Sequence, residues 1–229
     1  MKSWRIQPGA GDVLTVVDHA SNHVPEGIDL GIDAKFLDTH VAWDIGAAEL
    51  PVTLGFRVFL ATISRLVVDM NREEDASGVV PVHSDGLEIT GNIGERHSRI
   101  DEFWRPYHHA LRQHIAIMQP KLLVSLHSFT PQLESRPNDE RPWEIGILYN
   151  NDDRAARIAI PLLQAAGVHV GDQLPYSGKS LNATMNLHGE STRTPYIGIE
   201  VRQDLIADAA GVAKWAHILL PVIEKCAKR

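Results

Sequence analysis

Three short apolar runs, each ending in side chains that can ligate or ionise, constrain this chain more than any other feature. Leu122-Leu123-Val124-Ser125-Leu126 leads into His127-Ser128. Val13-Leu14-Thr15-Val16-Val17 leads into Asp18-His19, and Tyr196-Ile197-Gly198-Ile199 leads into Glu200-Val201-Arg202. Each run is too short for a helix, and Pro120 and Pro131 bound the first. Apolar strands without clean alternation are those whose sheet is covered on both faces. A histidine where such a strand gives way to a loop has a fixed backbone and an open side, as a catalytic metal ligand needs.

The rest of the chain alternates strand and helix signals. Further strands are expected at residues 56–61, 66–70, 144–149 and 168–170. A helical turn is expected at 34–37, and helices from 45 onward, at 99–118 with a break or kink at Pro106, at 154–166, and at 212–226 with an interruption or kink near Pro221. Residues 73–94, 130–142 and 171–193 read as loops. The first is long enough to be a lid or a substrate loop. The expected fold is α/β: a three-layer α/β/α sandwich around a mostly parallel or mixed sheet. Sites in such sheets gather beyond the carboxyl ends of the strands.

Length and composition bound the function. The chain has 229 residues, 44% of them hydrophobic, enough for one domain over residues 1–229. A formal charge of -7 without a basic run argues against nucleic acid or a membrane surface as partner. Cys226 is the only cysteine, so thiol chemistry and a cysteine metal site are disfavoured. The first residues lack the apolar core of an export signal and no run is long enough to span a bilayer, so the cytoplasm is the expected location. No G-x-S-x-G elbow, Walker A loop or G-x-G-x-x-G fingerprint occurs.

A hydrolytic zinc site needs three ligands from His, Asp or Glu, an open position for water, and a carboxylate outside the ligand set to move protons. His19 and His127 are the candidate ligands. Asp44 is the candidate third, with His23 and Glu26 as rivals. Asp44 would equally well cap a helix beginning at Ile45. Glu200 is the candidate base, or else a sheet-edge carboxylate paired with Arg202. Arg72 and Arg202 are candidate clamps for an anionic substrate, and Asp69 a candidate for orienting the Asn71-Arg72 turn.

The segments Asp18-His19-Ala20-Ser21-Asn22-His23-Val24-Pro25, Trp43-Asp44, Ser64-Arg65-Leu66-Val67-Val68-Asp69-Met70-Asn71-Arg72, Pro106-Tyr107-His108-His109-Ala110-Leu111, Ser125-Leu126-His127-Ser128 and Ile199-Glu200-Val201-Arg202 together resemble the N-formylglutamate amidohydrolase family. No single segment is specific, but the ordered set is. The resemblance implies the fold of the zinc exopeptidases (zinc carboxypeptidases and aspartoacylases), with one zinc per chain on His19, Asp44 and His127 and a catalytic Glu200. It further implies substrate contacts by Asn71, Arg72 and His188. The implied reaction is hydrolysis of a small anionic N-acyl amino acid, with N-formyl-L-glutamate giving formate and L-glutamate. The alternatives are a zinc peptidase or an N-acetylmuramoyl-alanine-type amidase, and a relative that binds metal and ligand without turnover.

Overall fold

The computed structural model describes residues 1–228. Its strands are β1 (Trp4–Gln7), β2 (Ala10–Val17), β3 (Phe56–Ala61), β4 (His83–Ser84), β5 (Leu87–Glu88), β6 (Leu122–Phe129), β7 (Ile145–Leu148), β8 (Val170–Asp172) and β9 (Tyr196–Arg202). Seven of them form one mixed sheet in the order β1-β3-β2-β6-β9-β7-β8, and β4 with β5 makes a separate hairpin. The four central strands β3, β2, β6 and β9 are parallel, whereas β1 runs against β3 and the parallel pair β7 and β8 runs against β9. Parallel neighbours end on the same side of the sheet, so β2, β6 and β9 deliver their last residues to one edge.

Both faces of the sheet are covered, as the apolar strands require. The helices are α1 (Glu49–Leu54), α2 (Arg96–Arg99), α3 (Arg105–Met118), α4 (Ala156–Ala165), α5 (Ala183–Met185) and α6 (Ala209–Ala227). On one face Val17, Val124, Leu126 and Ile199 pack with Leu50, Leu163, Trp215 and Leu219 of α1, α4 and α6. On the other, Leu14, Val16, Leu123 and Tyr196 pack with Tyr107, Leu111 and Ile115 of α3. Each such side chain contributes about 1.5–3 kcal/mol when fully buried. The register pairs Leu123 with Tyr196, Ser125 with Gly198 and His127 with Glu200. Strand residues two apart share a face, so His127 and Glu200 stand side by side on the α3 side.

Several local expectations change. Residues 66–70 are not a strand but a buried turn segment, closed by Val67 N–H to Ser64 O and Asp69 N–H to Val79 O. Their apolar run marks burial, and burial alone does not choose between extended and turned backbone. No helix starts at Ile45: α1 begins at Glu49. Gly46 sits at φ +77 with Ile206 O 2.2 Å from where a Cβ would be, a left-handed, crowded position incompatible with a helix start. The break expected at Pro106 lies just before it: a π turn at Ile100–Trp104 interrupts the helix, and Pro106 sits in the first turn of α3, where no intrahelical donor is needed. α6 is continuous through Pro221. The loop at 73–94 contains the β4–β5 hairpin, the loop at 171–193 contains α5 and a π turn at Asn186–Glu190, and β1 is an edge strand that the sequence pattern did not reveal.

A buried histidine pair ties α3 to that π turn. His108 Nε2 donates to Met70 O at 2.9 Å, so its Nδ1 must accept, and His188 Nε2 donates to it at 3.0 Å. Burial pushes His108 down to about 3, helped by His188 and Arg112, and pushes His188 down to about 4, helped by Arg112. Both folded values lie below the unfolded one, so the unfolded chain takes up the protons first. The stability is complete above about pH 6.5 and is lost as pH falls toward the folded values, by roughly 2 kcal/mol per histidine at pH 5. Thermal unfolding between pH 7.5 and 5 should therefore fall less steeply in His188→Gln than in the parent protein. Equal slopes would show that the pair does not carry this acid sensitivity.

Candidate metal centre and active site

The strand ends bring three ligand atoms together. His127 Nδ1 lies 2.8 Å from Asp44 Oδ2 and 3.2 Å from His19 Nδ1, and His19 Nδ1 lies 3.3 Å from the same Asp44 oxygen. All three residues are buried, and of the groups of histidine and acidic side chains that could hold a cation this is the one found among the described residues. His19 follows β2 and His127 belongs to β6. Asp44 is placed by its own backbone, whose N–H donates to His19 O at 2.9 Å. Its side chain caps no helix, and accepts instead from Ser128 N–H at 3.3 Å. His23 and Glu26 are exposed and outside the cavity, so the structure does not bring either rival ligand to the cluster.

The donor set fits a metal ion. His19 Nε2 donates to Asp69 Oδ1 at 2.7 Å, which turns the Nδ1 lone pair toward Asp44 and His127. Two ring nitrogens and a carboxylate oxygen facing one another repel unless a proton or a cation lies between them. Ligands about 2.0–2.1 Å from a tetrahedral zinc lie roughly 3.3 Å apart, close to the spacing seen. The outer nitrogens are held too. Ser125 Oγ is 3.1 Å, Asn71 Nδ2 3.4 Å and Asp18 Oδ2 3.7 Å from His127 Nε2. Carboxylates and hydroxyls behind ligating histidines fix the ring and raise its basicity.

The local fields follow from this crowding. Burial alone would raise the Asp44 carboxyl and lower both imidazoles. The His19 charge and the bonds from both histidines overcome burial and hold Asp44 far below the usual carboxylate range. Asp44 in turn raises His127 to about 9. Burial and then Arg65 lower His19, but Asp69 and Asp44 leave it raised. Glu200 is different: burial dominates and lifts it to about 7, and its Oε2 has no hydrogen-bond partner. A buried carboxylate titrating near neutrality with a free oxygen can take and return a proton.

A cavity of about 410 Å³ opens over the cluster, a size suited to a small molecule. Its wall includes the three candidate ligand residues, Glu200, Asn71 and Arg72. Asp69 orients the Asn71 turn through a 2.9 Å bond to Asn71 N–H, as expected, and also supports His19. His188 and Arg202 do not reach the cavity. His188 is buried against His108, and Arg202 pairs with Asp204 at 2.8 Å and points to the carbonyls of Pro142 and Trp143. Arg202 follows Glu200 by two residues and is the last residue of β9, where the local ion pair captures it.

Other residues were not singled out from the sequence. Arg65 bridges Asp69 Oδ2 at 2.8 Å and Asp44 Oδ1 at 3.4 Å. Tyr107 donates to Asp18 Oδ1 at 2.6 Å, setting the carboxylate behind His127. The i, i+4 spacing of Arg65 and Asp69 was a signal, though in a segment that is not helical. Asp85, at φ +43 on the β4–β5 hairpin, accepts from the backbone of Glu134 and Ser135, the Ser135 hydroxyl and His40 Nε2. It joins three loops at the cavity mouth, and nothing local in the sequence announces it.

Asp69→Asn should weaken cation binding about 10- to 100-fold by loosening His19. Competition against a chromogenic chelator measures this, and an unchanged affinity would remove Asp69 from its supporting role.

Residues 11–207 match the family model of N-formylglutamate amidohydrolase. No curated protein matches the chain. Among solved structures, gene product Atu2144 from Agrobacterium tumefaciens is 32% identical, with a TM-score of 0.92 over 100% of this chain and 96% of that one. An N-formylglutamate amidohydrolase from Ralstonia eutropha JMP134 is 17% identical, with a TM-score of 0.72 over 100% of this chain and 98% of that one, and shares the fold. The mixed seven-stranded sheet, the ligand cluster at its edge and these matches lead to one conclusion: the chain belongs to the N-formylglutamate amidohydrolase family.

Proposed function

We propose that this protein hydrolyses the amide bond of N-formyl-L-glutamate to formate and L-glutamate, with one zinc ion per chain on His19, Asp44 and His127. The observation that carries the reading is the convergence of His19 Nδ1, His127 Nδ1 and Asp44 Oδ2, with the unpartnered Glu200 carboxylate on the strand next to His127. Bound there, zinc would polarise the formyl carbonyl and offset the charge that develops on its oxygen.

The chain's own residues supply the rest. Glu200 takes a proton from the water that attacks the formyl carbon. As the C–N bond breaks, the same carboxyl gives that proton to the departing nitrogen, and the formic acid proton then passes to the amine, leaving formate and an ammonium group. Burial suits Glu200 to both halves, because a group near pH 7 is neither too weak a base nor too weak an acid. Arg72, with Asn71 beside it in the cavity wall, holds a substrate carboxylate by charge-assisted hydrogen bonds. Asp69, Asp18 and Ser125 keep the two ligand rings oriented. With formylglutamate as substrate, the reaction would belong to histidine degradation in the cytoplasm.

Glu200→Gln should lower turnover about 10²- to 10⁴-fold while metal content stays the same. Near-normal turnover with metal bound would take the base role from Glu200. Separately, formate release from N-formyl-L-glutamate should stop on chelation and return with added zinc. Activity indifferent to chelator would overturn the metal-dependent reading.

A further inference from the structure

Four arginines stand in or directly behind the cavity wall, and they differ in how their charge is met. Arg65 is matched by Asp44 and Asp69, and Arg136 by Asp139 at 3.3 Å. Arg72 approaches Asp69 at 3.6 Å, but that carboxylate already serves His19 and Arg65. Arg141 is 8% exposed and has no carboxylate within 4.0 Å among the described residues. Its Nη1 donates instead to Tyr176 Oη at 3.0 Å and to Thr130 O at 3.3 Å, and its guanidinium lies 5.0 Å from the centre of the Tyr176 ring. Thr130 and Tyr176 both line the cavity.

A buried guanidinium with no counter-charge is costly to keep, and the usual relief is an anion. The Tyr176 oxygen accepts from Arg141, so what it has left to offer is its own O–H, which finds no acceptor among the described residues. A phenol polarised by a guanidinium is a strengthened donor, and it faces the space a substrate would fill. Two cations at this cavity, Arg72 and Arg141, thus lack an acidic partner of their own.

We propose that Tyr176, backed by Arg141, is a second carboxylate subsite, which takes the side-chain carboxylate of an N-acyl acidic amino acid while Arg72 takes the other. This names the substrate class of the reaction proposed above and rests on that reading for the chemistry, though not for the binding. Tyr176 makes the contact, and Arg141 acts through it as a positioning and charge-supplying residue.

Two measurements on the metal-loaded protein test it. The first is the ratio of kcat/KM for N-formyl-L-glutamate over N-formyl-L-glutamine, in the parent, in Tyr176→Phe and in Arg141→Met. The second is calorimetric titration of the same three proteins with glutarate, a dicarboxylate with no bond to cleave. The parent should favour glutamate and bind glutarate, and each variant should lose about 10- to 100-fold in both readouts. An unchanged ratio and unchanged glutarate affinity in Tyr176→Phe would overturn the subsite, as would a parent that binds no glutarate. Tyr176→Phe removes a single oxygen, so it carries the test even if Arg141→Met fails to fold. Formate release with an unaltered preference would sink the subsite and leave the reaction standing. Glutarate binding that weakens in the variants, without formate release by the parent, would support the subsite and sink the reaction.

Discussion

Two imidazole nitrogens and a carboxylate oxygen face one another 2.8 to 3.3 Å apart in the interior. A proton or a cation between them offsets their repulsion. The groups behind them fix where they stand. Asp69 fixes one ring, Ser125 and Asp18 stand behind the other, and Arg65 ties Asp69 to Asp44. The supporting charges are themselves held: Tyr107 donates to Asp18 Oδ1, and Asn71 N–H to Asp69. Each layer orients the one in front of it, which is how a ligand set is held ready for a cation.

This arrangement works against stability for its own sake. Buried charges lose hydration that their mutual attraction only partly restores, and apolar side chains of the same volume would often be as stable or more so. The cost is confined to the edge of the sheet. Immediately beneath, Val17, Leu126 and Ile199 are fully or almost fully buried, so the ligands rise from a dry and rigid floor. Glu200 shows what that floor does to an isolated acid. With an oxygen left unpartnered and few compensating bonds, its carboxyl moves to about 7, while Asp44 among histidines moves the opposite way. Surroundings thus push the same carboxyl chemistry in opposite directions at two neighbouring positions.

Where the sequence reading failed, the failures have a common cause. Arg202 lies two residues from Glu200, and alternation puts the two side chains on one face, yet Asp204 captures its guanidinium outside the cavity. His188 belongs to a segment that resembles a substrate region, yet it bonds to His108 from a helix far along the chain. Residues 66–70 have the composition of a strand, but bonds to Ser64 O and Val79 O hold them as a turn. In each case a competing contact decided the matter, two residues away for Arg202 and farther along the chain for His188 and for residues 66–70.

What the sequence determined by itself were the parts that depend on period and composition. Strands at β2, β6 and β9, covered on both faces, follow from apolar runs of strand length, and the alternation within them puts His127 and Glu200 on one face once the register is set. The tertiary structure decided which residues meet. The ligand atoms are separated by 25, 83 and 108 positions along the chain, and Asp44 rather than His23 or Glu26 joins the histidines because its loop is zipped to the backbone of His19. The partners of Tyr176 and Asp85 likewise come from loops that meet only when the core is packed. Propensity acts over a few residues, whereas loop paths are set by the whole core, and so the elements could be read from the sequence and the completed site could not.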